Sequence, residues 1–247
     1  TGNQPGIEAE MKPKPIAELN TYQAAGKLKD KVALITGGDS GIGRAVAILF
    51  AKEGANVAIG YYNEHQDAKE TVRRLEELGV KAKAYAHDLK DETQSQQLVK
   101  DVVDDFGGLN ILVNNGGVQF PRDHFEEITP EQVKETFQTN IFGMIFLSQA
   151  AVPYLNDGDS IINTTSVTAY RGSGHLIDYS ATKGAIVSFT RSLATTLMEK
   201  NIRVNAVAPG PIYTPLIPAT FDEEKVENQG GGTPVSYTHL TLPTNRE

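Results

Sequence analysis

Val32-Ala33-Leu34-Ile35-Thr36-Gly37-Gly38-Asp39-Ser40-Gly41-Ile42-Gly43 is the stretch that decides the fold. Its opening apolar run has the composition of a buried strand, and the glycines after it lead into a helix whose apolar residues recur three and four apart from Ala45 to Lys52. A strand that turns through glycines into a helix start brings bare backbone and the positive end of the helix dipole to one point. A pyrophosphate can be cradled there. Glycines alone also mark an ordinary strand-to-helix turn, so the reading depends on the surrounding chain.

Outward from this unit the pattern repeats. Short β-branched runs at 57–59, 82–86, 111–113, 161–162 and 204–208 alternate with helical periods at 68–78 and 97–106, and Gly54, Gly79 and Gly107 mark helix ends. Two longer helical stretches, 131–155 and 179–200, follow. Alternation of this kind predicts an α/β fold, a mostly parallel sheet wound on both faces by helices in a single domain over 28–228. Residues 1–27, polar and carrying Pro5, Pro13 and Pro15, read as an arm that can dock but cannot found a core.

The 247 residues include no cysteine, which excludes disulfides and thiolate metal sites. A net charge of -8 disfavours nucleic acid as a partner, and no apolar run approaches a bilayer span. The five histidines show no metal-ligand spacing, so no metal is expected. A cytoplasmic protein acting on small molecules is the expectation.

Tyr179 and Lys183 stand four apart, so a helix projects both from one face. Taken alone, that spacing more often describes a half-buried ring beside a solvated amine. Ser166 just beyond the fifth strand and Asn140 within the first long helix complete a polar set. With the spacing Gly37, Gly41, Gly43 and the turn Asn114-Asn115-Gly116-Gly117 after the fourth strand, the chain resembles the short-chain dehydrogenase/reductase family. Gly116 stands where that family usually has alanine. The arm and the entry to the first strand resemble a bacterial branch with glucose and ribitol dehydrogenase-like members.

The resemblance implies a doubly wound Rossmann-type sheet and an NAD(P)-dependent oxidoreductase that moves a hydride between nicotinamide and a carbonyl or alcohol carbon. Tyr179 would exchange the proton, Ser166 would orient the substrate oxygen, and Asn140 would hold a water leading from Lys183 to solvent. Lys183 would also grip the ribose and favour the phenolate. A tyrosine near pKa ~10 needs roughly 3 to 4 kcal/mol for a shift of two to three units.

Cofactor contacts are expected from Gly37, Asp39, Ser40, Gly41, Ile42 and Gly43 at the phosphates, and from Tyr61, Asn63, Asp88 and Leu89 at the adenosine. Asn115, Gly116, Gly117 and Thr164 would line the nicotinamide side. The loop with Pro209, Gly210, Ile212 and Thr214 would cover it, followed by a lid from Leu216 to about Lys225. Asp39 would repel a 2′-phosphate, which favours NAD and leaves NADP open. Gln119, Gly172, His175 and Leu216, with Ser166, are the expected substrate contacts, for a polyol, sugar, ketone or similar compound. A 3-oxoacyl thioester is the nearest variant, and a nicotinamide-binding but catalytically idle protein is the alternative of a different class.

Residues 229–247 carry neither the last helix nor the final strand that the resemblance implies. They read as a non-native tail, a truncation or frameshift joined to unrelated residues. A homodimer or homotetramer is expected if that end is completed.

Overall fold

The computed structural model describes residues 4–19 and 21–220. Its sheet has six strands: β1 (Val32–Thr36), β2 (Asn56–Tyr61), β3 (Ala82–Ala86), β4 (Ile111–Asn114), β5 (Ser160–Thr164) and β6 (Arg203–Val207). They run parallel in the order β3-β2-β1-β4-β5-β6. Parallel neighbours need crossovers, and helices supply them. These are α1 (Gly41–Lys52), α2 (His65–Glu77), α3 (Glu92–Phe106), α4 (Pro130–Phe137), α5 (Gly143–Ala151), α6 (Thr168–Arg171), α7 (Ile177–Leu197) and α8 (Leu216–Thr220).

Strand alternation sends neighbouring residues of β1 into two cores. Leu34 packs in a cluster with Val99 of α3, Leu147 of α5 and Leu197 of α7. Ile35 lies on the other face with Ala47 and Ile48 of α1 and Leu75 of α2. All five β1 residues are buried, which explains why this strand reads as a continuous apolar run. The result is a doubly wound Rossmann-type sheet. The order in which strands are added reverses between β1 and β4, where open α/β sheets leave a crevice at their carboxyl ends.

The expected strands all form: β1 and β4 are one residue longer, β2 and β5 three residues longer, β3 has the expected bounds, and β6 starts and ends one residue earlier. The expected helix 131–155 is broken instead into α4, a π turn at Gln138–Phe142, α5 and a 3-10 turn at Val152–Tyr154. Pro153 has no amide hydrogen to continue the α-helical ladder. At the π turn, the Asn140 side chain is hydrogen-bonded outside its own helix, to Val118 and Thr182. Helices α6 and α8, four and five residues long, are too short to show a helical period.

Residues before β1 lie against the sheet domain and bury Glu8 and Met11. Among the described residues β6 pairs with β5 alone. The tail reading at 229–247 and the end of the expected lid lie outside the described residues.

Candidate active site

Helix α1 begins without a side-chain cap at Ser40, whereas α3 is capped by Asp91, whose carboxylate accepts from the Thr93 and Gln94 amides. The first-turn amides of α1 are thus left for other acceptors. Gly37 and Gly41 adopt φ of 62° and 52°, and a Cβ on Gly43 would lie 2.0 Å from the Gly37 carbonyl oxygen. Only glycines fold this tightly, and the bare turn is a cradle of the kind a pyrophosphate fills.

The turn opens into a cavity of about 420 Å³ that runs along the carboxyl ends of the strands. The turn after β4 forms one wall. Asn114 donates to Asn163 at 2.9 Å and Ser148 at 3.1 Å, joining β4 to β5 and α5. The Asn115 amide nitrogen donates to the Thr36 carbonyl at 3.1 Å, and its oxygen accepts from Thr164 at 3.3 Å. Asn115, Gly116, Gly117 and Thr164 therefore line the cleft as a braced unit. An alanine methyl at Gly116 would sit 2.8 Å from Leu89 Cδ1, so glycine here gives Leu89 room.

At one end of the cavity lie Ser166, Tyr179 and Lys183. Helix α7 carries the tyrosine and lysine one turn apart, and the Lys183 ammonium lies 5.3 Å from the Tyr179 ring centroid. Lys183 is buried and donates to the Thr164 carbonyl at 2.9 Å. Burial holds its ammonium down at about 8. Burial likewise pushes the Tyr179 phenol above its ordinary value, against a smaller opposing hydrogen bond from Ser166. Without a bound cofactor, loss of water is the larger influence on the phenol. Ser166 Oγ accepts from the Thr168 amide and hydroxyl, both at 3.1 Å. Its acceptor positions are occupied, and its own proton is directed to Tyr179.

Asn140 does not line the cavity. Its oxygen accepts from the Val118 amide and its nitrogen donates to the Val118 carbonyl, both at 2.8 Å, and to Thr182 at 3.2 Å. The side chain braces the turn after β4 against α7. Gly172 and His175 also stand off the cavity, His175 exposed beside Asp123, while Arg171, Ser173 and Leu176 of the same segment line it. Gln119 and Leu216 line it as expected, and the loop with Pro209, Gly210, Ile212 and Thr214 covers its rim. Exposed Asn63 and buried Gly43 are not among the lining residues.

At the other end Asp39, Tyr61, Asp88 and Leu89 face the cavity, joined by His87, which the sequence reading did not assign there. His87 is 6% exposed and packs so tightly on Gly60 that a Cβ there would lie 2.5 Å from its Cε1. Among the described residues neither ring nitrogen makes a hydrogen bond of good geometry, although the Tyr85 and Tyr61 main chain lies near, and burial favours the neutral ring. Its position directly before Asp88 was the one available signal. Asp39 is pushed up to about 7, first by burial and then by the Glu64 carboxylate. At neutral pH it is therefore only partly charged, which weakens the charge argument for NAD over NADP. The bare glycine turn, the uncapped helix and the unpartnered polar atoms at the far end together fit a dinucleotide.

Comparison with known proteins gives the same picture. The short chain dehydrogenase family matches residues 31–225. The chain is 58% identical to "Uncharacterized oxidoreductase YhdF" of Bacillus subtilis (strain 168), over 94% of this chain and 80% of that one. It is 46% identical to "Glucose and ribitol dehydrogenase" of Daucus carota, over 94% and 82%. A crystal structure of a short-chain dehydrogenase from Burkholderia cenocepacia J2315 in complex with NADP superimposes with a TM-score of 0.77 at 35% identity, over 81% of each chain.

Proposed function

Because this chain belongs to the short-chain dehydrogenase family and is an oxidoreductase that uses NAD or NADP, we propose that it interconverts a polyol- or sugar-like carbonyl compound and its alcohol, with Tyr179 as proton donor and acceptor. One observation carries the reading: Ser166, Tyr179 and Lys183 share a single cavity with the glycine turn of α1.

The α1 turn would hold the phosphates, Asp39, Tyr61, Asp88 and Leu89 the adenosine, and Asn115 with Lys183 the nicotinamide ribose. When bound, the nicotinamide supplies or takes the hydride. The chain's own residues manage the oxygen and the proton. Ser166, with only its proton to give, orients the substrate oxygen toward Tyr179. In reduction the phenol gives its proton to that oxygen, and in oxidation it takes the proton back. Lys183 returns a proton to the cavity from a side chain poised near neutrality. The polyol or sugar class rests on likeness to the carrot enzyme. A cytoplasmic homo-oligomer belongs to the same reading.

Nicotinamide absorbance followed against a panel of aldoses, polyols, ketones and 3-oxoacyl thioesters tests it. We expect turnover on a small hydroxyl-bearing compound. Cofactor binding without turnover on any compound would leave the idle reading.

A further inference from the structure

The arm before β1 reaches the cleft from outside the region in which the family's motifs lie. Glu8, in the short 3-10 turn Glu8–Glu10, is buried, and one of its carboxylate oxygens accepts from the Gly41 amide at 2.7 Å. That amide opens α1 and gets no cap from the Ser40 side chain, so Glu8 takes that place at the end of the dipole where an anion is stabilised. The other oxygen pairs with Arg44. Arg44 in turn donates to the Asp39 carbonyl at 2.9 Å, Thr71 at 2.8 Å and the Asp67 carbonyl at 3.0 Å. The Asp67 carboxylate closes the circuit by accepting from the Glu8 and Ala9 amides at 2.7 and 3.1 Å. A buried carboxylate with this many fixed partners sets the position of the turn it touches.

Four residues earlier the same arm grips the opposite wall. Gln4 pairs in both directions with the main chain of Gln119, its oxygen accepting the Gln119 amide at 3.0 Å. The Gln119 side chain donates to Thr220 of α8 at 3.1 Å. Between these anchors the arm lies on the segment after β6. A Cβ on Gly6 would come 2.4 Å from the Pro215 carbonyl oxygen and 3.0 Å from the Ala219 Cβ. Gln4, Pro5 and Gly6 themselves line the cavity.

We propose that residues 4–11 are a built wall of the cofactor and substrate cleft, in which Glu8 is a positioning residue for the glycine turn and Gln4 for the Gln119 turn. The arm holds the two sides at the separation a dinucleotide requires. The inference rests on the dinucleotide reading above and goes beyond it by giving a binding role to residues outside the matched family region.

The test compares full-length wild type, Glu8→Ala, Glu8→Gln, Gln4→Ala and, as a control in the same arm, Ile16→Ser, whose side chain is exposed. NADH and NADPH affinities are measured by calorimetry, beside melting temperatures without cofactor. We expect Glu8→Ala to weaken binding at least tenfold and Gln4→Ala several-fold. Glu8→Gln, which keeps an acceptor for the Gly41 amide, should fall between wild type and Glu8→Ala, and Ile16→Ser should match wild type. If Glu8→Ala and Gln4→Ala lower the melting temperature but bind within twofold of wild type, the arm is only a structural brace and the proposal is overturned. Should Glu8→Ala not fold, Gln4→Ala decides, together with glutamate-specific proteolysis of wild type after exposed Glu10. Saturating NADH is expected to slow that cleavage at least tenfold, and equal rates overturn the proposal. Wild type that binds neither nucleotide sinks the dinucleotide reading and the arm's role with it, whereas wild-type binding with indifferent variants sinks the arm's role alone.

Discussion

The two ends of the cleft bury ionisable groups in opposite ways. At the chemical end a cation, Lys183, is enclosed with a neutral hydrogen-bond partner, the Thr164 carbonyl, and is held down at about 8. At the far end an acid, Asp39, is enclosed near a second carboxylate and is pushed up to about 7. Burial moves both toward neutrality, because the interior penalises whichever form is charged. A lysine near 8 can hand a proton on, and an acid near 7 can change the charge met by an incoming nucleotide.

The hardest way to break the comparison is to remove the proton donor. Tyr179→Phe should cut turnover by about 10³-fold or more, with nicotinamide affinity within a few-fold of wild type by titration. Turnover near wild type in a folded, cofactor-saturated preparation would end the proposed mechanism. Lys183→Met comes next. It should lower turnover by about 10²-fold and, unlike the phenylalanine variant, also weaken cofactor binding, because Lys183 is the residue assigned to both tasks.

A smaller effect concerns nucleotide choice. Asp39 gains its charge as pH rises through about 7, so binding of NADPH relative to NADH should fall by a few-fold from pH 6 to pH 8. In Asp39→Asn the ratio should stay flat across that range. The same slope in variant and wild type would show that Asp39 does not face the 2′ position.

The smallest effects are in stability, and their signs differ between the ends. The folded-state value of Asp39 lies above its ordinary 3.8, so the native protein holds the extra proton between about 4 and 7 and this group's contribution falls as pH rises through that window. The folded-state value of Lys183 lies below its ordinary 10.5, so the unfolded chain holds the extra proton between about 8 and 10.5 and stability from this group rises with pH there. Melting curves should show Asp39→Asn flattening the acid-side fall and Lys183→Met flattening the alkaline-side rise.

The chemical end was readable because its parts are short local signals. Tyr179 and Lys183 lie one helical turn apart, Ser166 follows a strand, and the glycine turn sits between a strand and a helix. The far end was readable only in part. His87 is buried because strand register sets Gly60 beside Tyr85, two residues before it, and no local pattern states that pairing. Asn140 was found by resemblance, but its partners Val118 and Thr182, 22 and 42 residues away, were not.

By itself the sequence determined the alternation of strands and helices, the parallel sheet, the glycine turn and the helical face shared by Tyr179 and Lys183, all consequences of periodicity and backbone sterics over a few residues. Tertiary structure alone decided where the arm lies, that Glu8 meets the Gly41 amide 33 residues on, and how far burial moves Asp39 and Lys183. These depend on which distant groups come together and how much water they exclude, and neither quantity exists until the chain has folded.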